Sequence, residues 1–200
     1  ACQSVGPTGQ SAGAVGGQTV DRVFQFSRAD KKYKELNPKK RQALIDALEQ
    51  IRCLLFDEMS MLGQNMMGHL IRRMQDTLSG GTNGGDILGD GEPGFGGVSF
   101  VQFGDYLQLP AVCEPAVYAR CGGGGKNATD LQRLGHAAYQ HLKTRGQVIE
   151  FEKSMRMSGD PDYAAKCANL RDAGKWRGDR AGNWTYWNDI AKSYTSDDET

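Results

Sequence analysis

Two short apolar runs, each closed by an acid, constrain this chain more than anything else in it. The first, Cys53-Leu54-Leu55-Phe56, leads directly into Asp57-Glu58. The second, residues 98–103, ends in Gly104-Asp105. Short continuous apolar runs of this kind fit strands buried on both faces, as in a parallel sheet. Helical patterns lie around them. Asn37-Pro38 offers a cap followed by a first-turn proline, and Ala43, Leu44, Ala47, Leu48 and Ile51 then recur at helical spacing. Residues 61–78 place Met66, Leu70, Ile71 and Met74 on one helix face. Asn127 or Thr129 would cap a helix to about residue 142, residues 148–151 read as a third strand, and residues 161–173 as a helix. Strands alternating with helices indicate an α/β domain with a mostly parallel sheet.

Composition narrows the function classes. Lys plus Arg number 24 against 24 Asp plus Glu, which argues against a polybasic nucleic-acid binder. No apolar run approaches the roughly 18 residues of a membrane-spanning helix. The stretch 28–41 holds seven Lys or Arg and two acids and reads as a solvated helix face. Five Cys without a C-x-x-C pair fit free thiols in a reducing, intracellular setting, not a secreted disulfide framework. The three His have no zinc-like spacing to Cys, and His136 and His141 would not share one ligand. Met59, Met61, Met66, Met67 and Met74 read as core fillers. Trp176, Trp184 and Trp187 suit either base stacking or packing between domains. Gly supplies 27 of the 200 residues, with nine of them in 79–97, a segment too Gly-rich for a regular element and read as a flexible loop.

In open parallel sheets, ligands bind beyond the carboxyl ends of the strands. A carboxylate there suits Mg²⁺, a hard cation that takes oxygen ligands. Alone, an Asp-Glu pair after an apolar run is more often a solvated strand end. The second acid-terminated strand, with the ordered polar set Gly104-Asp105-Tyr106-Leu107-Gln108-Leu109-Pro110, favours the ligand reading.

Four blocks in order carry a family resemblance. They are Pro7-Thr8-Gly9 with Ala12, Gly16-Gly17 and Thr19; residues 55–62, LFDEMSML; Phe95-Gly96-Gly97 followed by residues 104–110; and Met155-Arg156 with Asp162, Leu170, Arg171 and Gly174. Together they resemble the first RecA-like motor domain of the PIF family of 5′-to-3′ DNA helicases, relatives of RecD in helicase superfamily one. The resemblance implies a RecA-like P-loop NTPase fold, present in part, with residues 1–155 in the motor domain and 156–200 leading towards a second one. It implies that Asp57 holds Mg²⁺, that Glu58 activates the water attacking the γ-phosphate of ATP, and that Gln108 senses that phosphate. Arg156 becomes an arginine finger. Thr8, Gly9, Gly17 and Thr19 would line the path of single-stranded DNA. The implied partners are ATP, single-stranded DNA and DNA junctions, and a second RecA-like domain in cis, with no membrane. The implied setting is repair, recombination or telomere maintenance, in nucleus or mitochondrion of a eukaryote and otherwise in the cytoplasm.

Departures from the pattern fall mainly on the DNA side. Asp21 stands where the family has His and would repel phosphate, Ala111 replaces a Pro, and Met157 replaces a Gln. A phosphate-binding G-x-x-x-x-G-K-[ST] segment is expected upstream of Pro7, and the 200 residues do not contain it. Gly122-Gly123-Gly124-Gly125-Lys126 does not supply it, because Arg120 and Asn127 occupy the required Gly and Ser/Thr positions. The expectation is therefore a fragment, inactive by itself, of an ATP-dependent helicase. A non-catalytic single-stranded-DNA-binding remnant from a mobile element is the alternative, and an α/β interaction domain with chance motif matches is the third reading.

Overall fold

The run Cys53–Phe56 forms a strand, β3, flanked by β1 (Cys2–Gly6) on one side and β4 (Ser99–Gln102) on the other. A two-residue strand, β2 (Gln18–Thr19), completes a parallel sheet in the order β2-β1-β3-β4. The structure is a computed structural model that describes residues 1–78, 95, 97–106, 108–121, 127–151, 155 and 158–171. It divides into two units, Ala1–Val148 and Ile149–Thr200.

Burial along β3 alternates. Leu54 and Phe56 are fully buried, whereas Cys53 and Leu55 are only partly so. The reading of a strand covered on both faces is corrected: among the described residues, one face is covered. Val5, Leu54, Phe56 and Phe100 share that face by register. They belong to a core with Leu44 and Leu48 of α3 (Pro38–Leu48) and with Met67, Leu70, Ile71 and Met74 of α4 (Gln64–Leu78). The opposite face carries Cys2, Ser4, Leu55, Ser99 and Val101, the last 39% exposed.

The helices form where their caps and apolar faces allow. Asn37 Oδ1 accepts the Lys40 N–H at 2.8 Å, so α3 begins at the expected proline. A further helix, α5 (Asp130–Arg145), opens with a reciprocal Thr129–Gln132 capping box, packs on α4 and gives Ala138 to the core. Short helices α1 (Gly9–Ala14) and α2 (Val20–Val23) follow β1 and β2. The small-residue composition of residues 1–17 gave no sign of β1, because that strand depends on neighbours on both sides for its ladder bonds.

Three expectations change. Residues 28–37 of the basic stretch are not helical. They are strapped to α4 by Arg73, which is 2% exposed and donates to the carbonyls of Phe24 (3.0 Å), Gln25 (3.3 Å) and Lys34 (3.1 Å). Within the stretch itself, Lys34 O is bonded by Arg73 and Asp30 O by His69 at 2.8 Å, so side chains of α4 pair these carbonyls in place of a helix ladder. Residues 148–151 form no strand, since none of the described residues pairs with them. The helix read from residue 61 starts at Gln64, after a single 3₁₀ turn at Met59–Met61. Met66, Met67 and Met74 are buried, as core fillers should be.

Of the Gly-rich segment 79–97 only Phe95 and Gly97 are described, and Phe95 stacks on Phe100 at 4.7 Å between centroids. The run 122–126 and the three Trp lie outside the described residues. In the second unit, α6 (Pro161–Arg171) opens on Asp160, whose Oδ1 accepts the Tyr163 N–H at 2.9 Å. No helix among the described residues is long and apolar enough to cross a membrane.

Candidate functional site

Because all four strands are parallel, their carboxyl ends share one edge of the sheet. Register places Gly6 beside Thr19, Val5 beside Phe56, and Phe56 beside Gln102. The segments that leave this edge carry Thr8 and Gly9 after β1, Thr19 at the end of β2, Asp57 and Glu58 after β3, and Gln108 after β4. Gly17 immediately precedes β2, and Arg156 lies outside the described residues.

The turn after β3 is held from both sides. Asp57 N–H donates to Val5 O at 3.0 Å, continuing the ladder to β1. Glu58 then adopts φ 57, ψ 53, a left-handed conformation that costs a non-glycine residue about 1–2 kcal/mol. Phe103 N–H donates to Phe56 O and Met59 N–H to Phe103 O, both at 2.8 Å. These bonds clamp Glu58 between them. Gly104 makes the clamp possible: its φ is 137, and a Cβ there would stand 2.8 Å from Met59 N. Strain of this kind persists where the surroundings over-determine it, commonly at functional sites.

The Asp57 and Glu58 carboxylates are half-buried, and neither has a hydrogen-bond or ion-pair partner among the described residues. Two adjacent carboxylates with open coordination fit Mg²⁺, which takes one or two carboxylates and completes its octahedron with phosphate and water. No cluster of three or more His, Cys, Asp or Glu able to hold a metal exists among the described residues.

Gln108 is exposed, at the end of a turn closed by its N–H to Asp105 O at 3.0 Å. Two residues earlier, Tyr106 turns inward and meets Tyr118 and Tyr139 edge-on at 5.0 and 5.9 Å. Burial and these two phenols push the Tyr106 hydroxyl up in pKa, so it stays neutral and anchors the turn.

The residues read as DNA-facing have structural duties as well. Thr8 caps α1: its Oγ1 accepts the Ser11 N–H and Ser11 Oγ accepts the Thr8 N–H, each at 3.1 Å. Gly9 is exposed with open space where a Cβ would be. Gly17 instead presses on β1, where a Cβ would meet Ser4 O at 2.3 Å. Asp21, read as a repulsive charge, is matched by Arg28 at 2.7 Å. Burial works against its charged form, but Arg28 and the Thr19 hydroxyl outweigh that and hold its carboxyl below the usual range.

Sequence reasoning missed a clip between the two turns. Glu114 Oε2 accepts the Asn65 and Met66 N–H groups at 2.6 and 3.3 Å, capping α4 from 49 residues away. Gln64 Nε2 donates to the carbonyls of Ala116 (3.2 Å) and Ala119 (2.8 Å), and Val117 N–H donates to Leu62 O at 3.2 Å. No local pattern announces contacts of such sequence separation.

Comparisons with known proteins bear on the family and the fold. A family model described as PIF1-like helicase matches residues 2–176. ATP-dependent DNA helicase PIF6 of Trypanosoma brucei brucei is 25% identical over 174 residues, covering 82% of this chain and 20% of that protein. A crystal structure of Pif1 helicase from Bacteroides in complex with ADP-AlF3 and ssDNA superposes on 86% of this chain and 36% of its own, at 20% identity and TM-score 0.55. The crystal structure of Pif1 helicase from Candida albicans matches 85% of this chain and 33% of its own, at 20% identity and TM-score 0.53. This chain therefore spans about a fifth of its curated relative and about a third of each of these solved chains. The two structural likenesses establish the fold, a RecA-like α/β domain with a parallel sheet. On the family match, which takes in every strand of that sheet and all four blocks in full, the chain belongs to the PIF1-like helicase family.

Proposed function

We propose that this chain is part of the first motor domain of an ATP-dependent DNA helicase. The whole protein would couple Mg-ATP hydrolysis to translocation on single-stranded DNA and to duplex unwinding, in repair, recombination or telomere maintenance. The observation that carries the proposal is the Asp57-Glu58 pair at the carboxyl end of β3, with Glu58 held in a left-handed conformation. The trypanosomal relative's name, an ATP-dependent DNA helicase, supports the reading, as does the Bacteroides neighbour's complex with ADP-AlF3 and ssDNA.

Bound Mg²⁺ supplies charge neutralisation on the phosphates, and Asp57 is the residue that would hold it. Glu58 accepts a proton from the attacking water. Gln108, exposed on its anchored turn, reaches the γ-phosphate, and Arg156 neutralises charge that develops there. Gly9 offers open backbone to DNA phosphates, while Thr8, Gly17 and Thr19 shape that wall of the track. A second RecA-like domain in cis completes the cleft. Five free thiols support an intracellular setting, nuclear or mitochondrial in a eukaryote and cytoplasmic otherwise.

The test uses the complete helicase. Glu58→Gln is expected to lower DNA-stimulated ATP hydrolysis by about 10²–10⁴-fold, with single-strand binding kept. Full hydrolysis in that variant would remove Glu58 from the mechanism. Single-strand binding without any hydrolysis in the unmodified protein would favour a non-catalytic DNA binder.

A further inference from the structure

Cys2 and Cys53 stand directly opposite each other across the β1–β3 ladder, at the amino-terminal ends of both strands. Neighbouring strands lie about 4.8 Å apart, within the roughly 4.4–6.8 Å Cα separation that a disulfide spans. Register partners on parallel strands project from the same face. Here it is the less covered face, shared with Ser4, Leu55 and Val101. Cys2 is exposed and Cys53 partly so, which leaves the pair open to a reagent in solution. The two thiols also sense each other: burial first, then the neighbouring Cys2, push the Cys53 thiol up in pKa.

We propose that Cys2 and Cys53 form a redox modification site that closes to a disulfide when the chain meets a small-molecule disulfide such as oxidised glutathione. The Cys2 thiolate attacks one glutathione sulfur, the S–S bond breaks, and one glutathione leaves as its thiolate. The Cys53 thiolate then attacks the Cys2 sulfur of the mixed disulfide, and the second glutathione leaves. Two protein thiols are oxidised with loss of two electrons and two protons, and one glutathione disulfide is reduced to two thiols. Exposure assigns the first attack to Cys2, and the more sheltered Cys53 resolves it. The bridge forms at the strand ends opposite Asp57 and Glu58, so it staples the register of β1 on β3 and leaves the carboxylates untouched. A cross-link that opens and closes with the glutathione poise suits a compartment where lasting disulfides are rare.

The experiment incubates the folded 200-residue chain with oxidised glutathione, blocks remaining thiols with iodoacetamide, and maps peptides without reduction. The expected product is a linked peptide pair carrying Cys2 and Cys53, with Cys113, Cys121 and Cys167 alkylated. Cys53→Ser should leave a persistent glutathione adduct on Cys2, and Cys2→Ser should abolish the linked pair. In denaturing urea the same treatment should scatter bridges among all five thiols. The proposal is overturned if bridges run mainly through Cys113, Cys121 or Cys167, or if the unmodified chain keeps its adduct on Cys2. It is also overturned if folding makes no difference to the Cys2–Cys53 yield.

Discussion

The backbone N–H of Met59 donates to the carbonyl oxygen of Phe103 at 2.8 Å. This bond ties the residue after Glu58 to the residue before Gly104, so the acidic turn of β3 and the polar turn of β4 form one hydrogen-bonded unit. A change in either turn should be felt in the other.

Gly104→Ala tests that coupling. The position has φ 137, and an added Cβ would meet Met59 N at 2.8 Å. Strain there is expected to destabilise the chain by about 1–3 kcal/mol, read as a lower urea midpoint. In the complete helicase, ATP hydrolysis should fall as well, although the substitution removes no functional group. Unaltered hydrolysis would show that the two turns act independently.

Arg73→Met should loosen the basic segment. Besides three carbonyls, Arg73 bonds the Tyr33 hydroxyl at 2.8 Å, and its guanidinium lies over the Tyr33 ring at 4.9 Å. Methionine fills the space but leaves buried carbonyls unpaired, at a cost of about 1–3 kcal/mol for each that finds no water. Trypsin should then cut at Lys31 and Lys32 well before the core unfolds. Cleavage no faster than in the unmodified chain would mean that His69, which bonds Asp30 O at 2.8 Å and stacks on Phe26, holds the strap alone.

Glu114 gives a pH dependence with a definite sign. Burial raises its carboxyl above the ordinary 4.5, and the Asn65 and Met66 N–H groups and the charge of Arg28 only partly offset that. The folded chain therefore binds this proton more tightly than the unfolded chain. The contribution favours folding below pH 4.5 and is lost as pH rises from 4.5 through the raised value. Glu114→Gln keeps a carbonyl acceptor and removes the titration. The urea midpoint of the unmodified chain should fall relative to the Gln variant as pH rises through this window. The opposite trend would mean that the charged form is the one the fold prefers.

These 200 residues contain no G-x-x-x-x-G-K-[ST] segment, whose amides and Lys would cradle the phosphates. The chain alone is expected to release no phosphate from ATP, with or without single-stranded DNA. Phosphate release that Glu58→Gln abolishes would refute this and locate phosphate binding elsewhere in the chain.

Much of the fold was legible because its signals are local. Residues 53–56 announced β3, Asn37-Pro38 marked the start of α3, and Asn127 or Thr129 the start of α5, where Thr129 is the cap, since a cap or an apolar run acts within a few residues. Residues 148–151, apolar except for Glu150, were read as a strand too and form none, because none of the described residues supplies a partner for the ladder. Residues 28–37 looked like a charged helix face, yet Arg73 and His69 of α4, about 40 residues away, bond the Lys34 and Asp30 carbonyls and hold the segment in a non-helical path.

The candidate site divides along the same line. Sequence by itself determined the family, and it singled out Asp57, Glu58 and Gln108 as candidates, since they sit in short ordered blocks. Only the tertiary structure decided how those residues are held. The left-handed turn at Glu58, its clamp through Phe103 and Gly104, and the remote cap of α4 by Glu114 all join segments about 45 to 50 residues apart. The reason is physical. A side chain's identity is written at its own position, but its geometry is set by hydrogen-bond partners that come into reach only after the parallel sheet has brought its strand ends together.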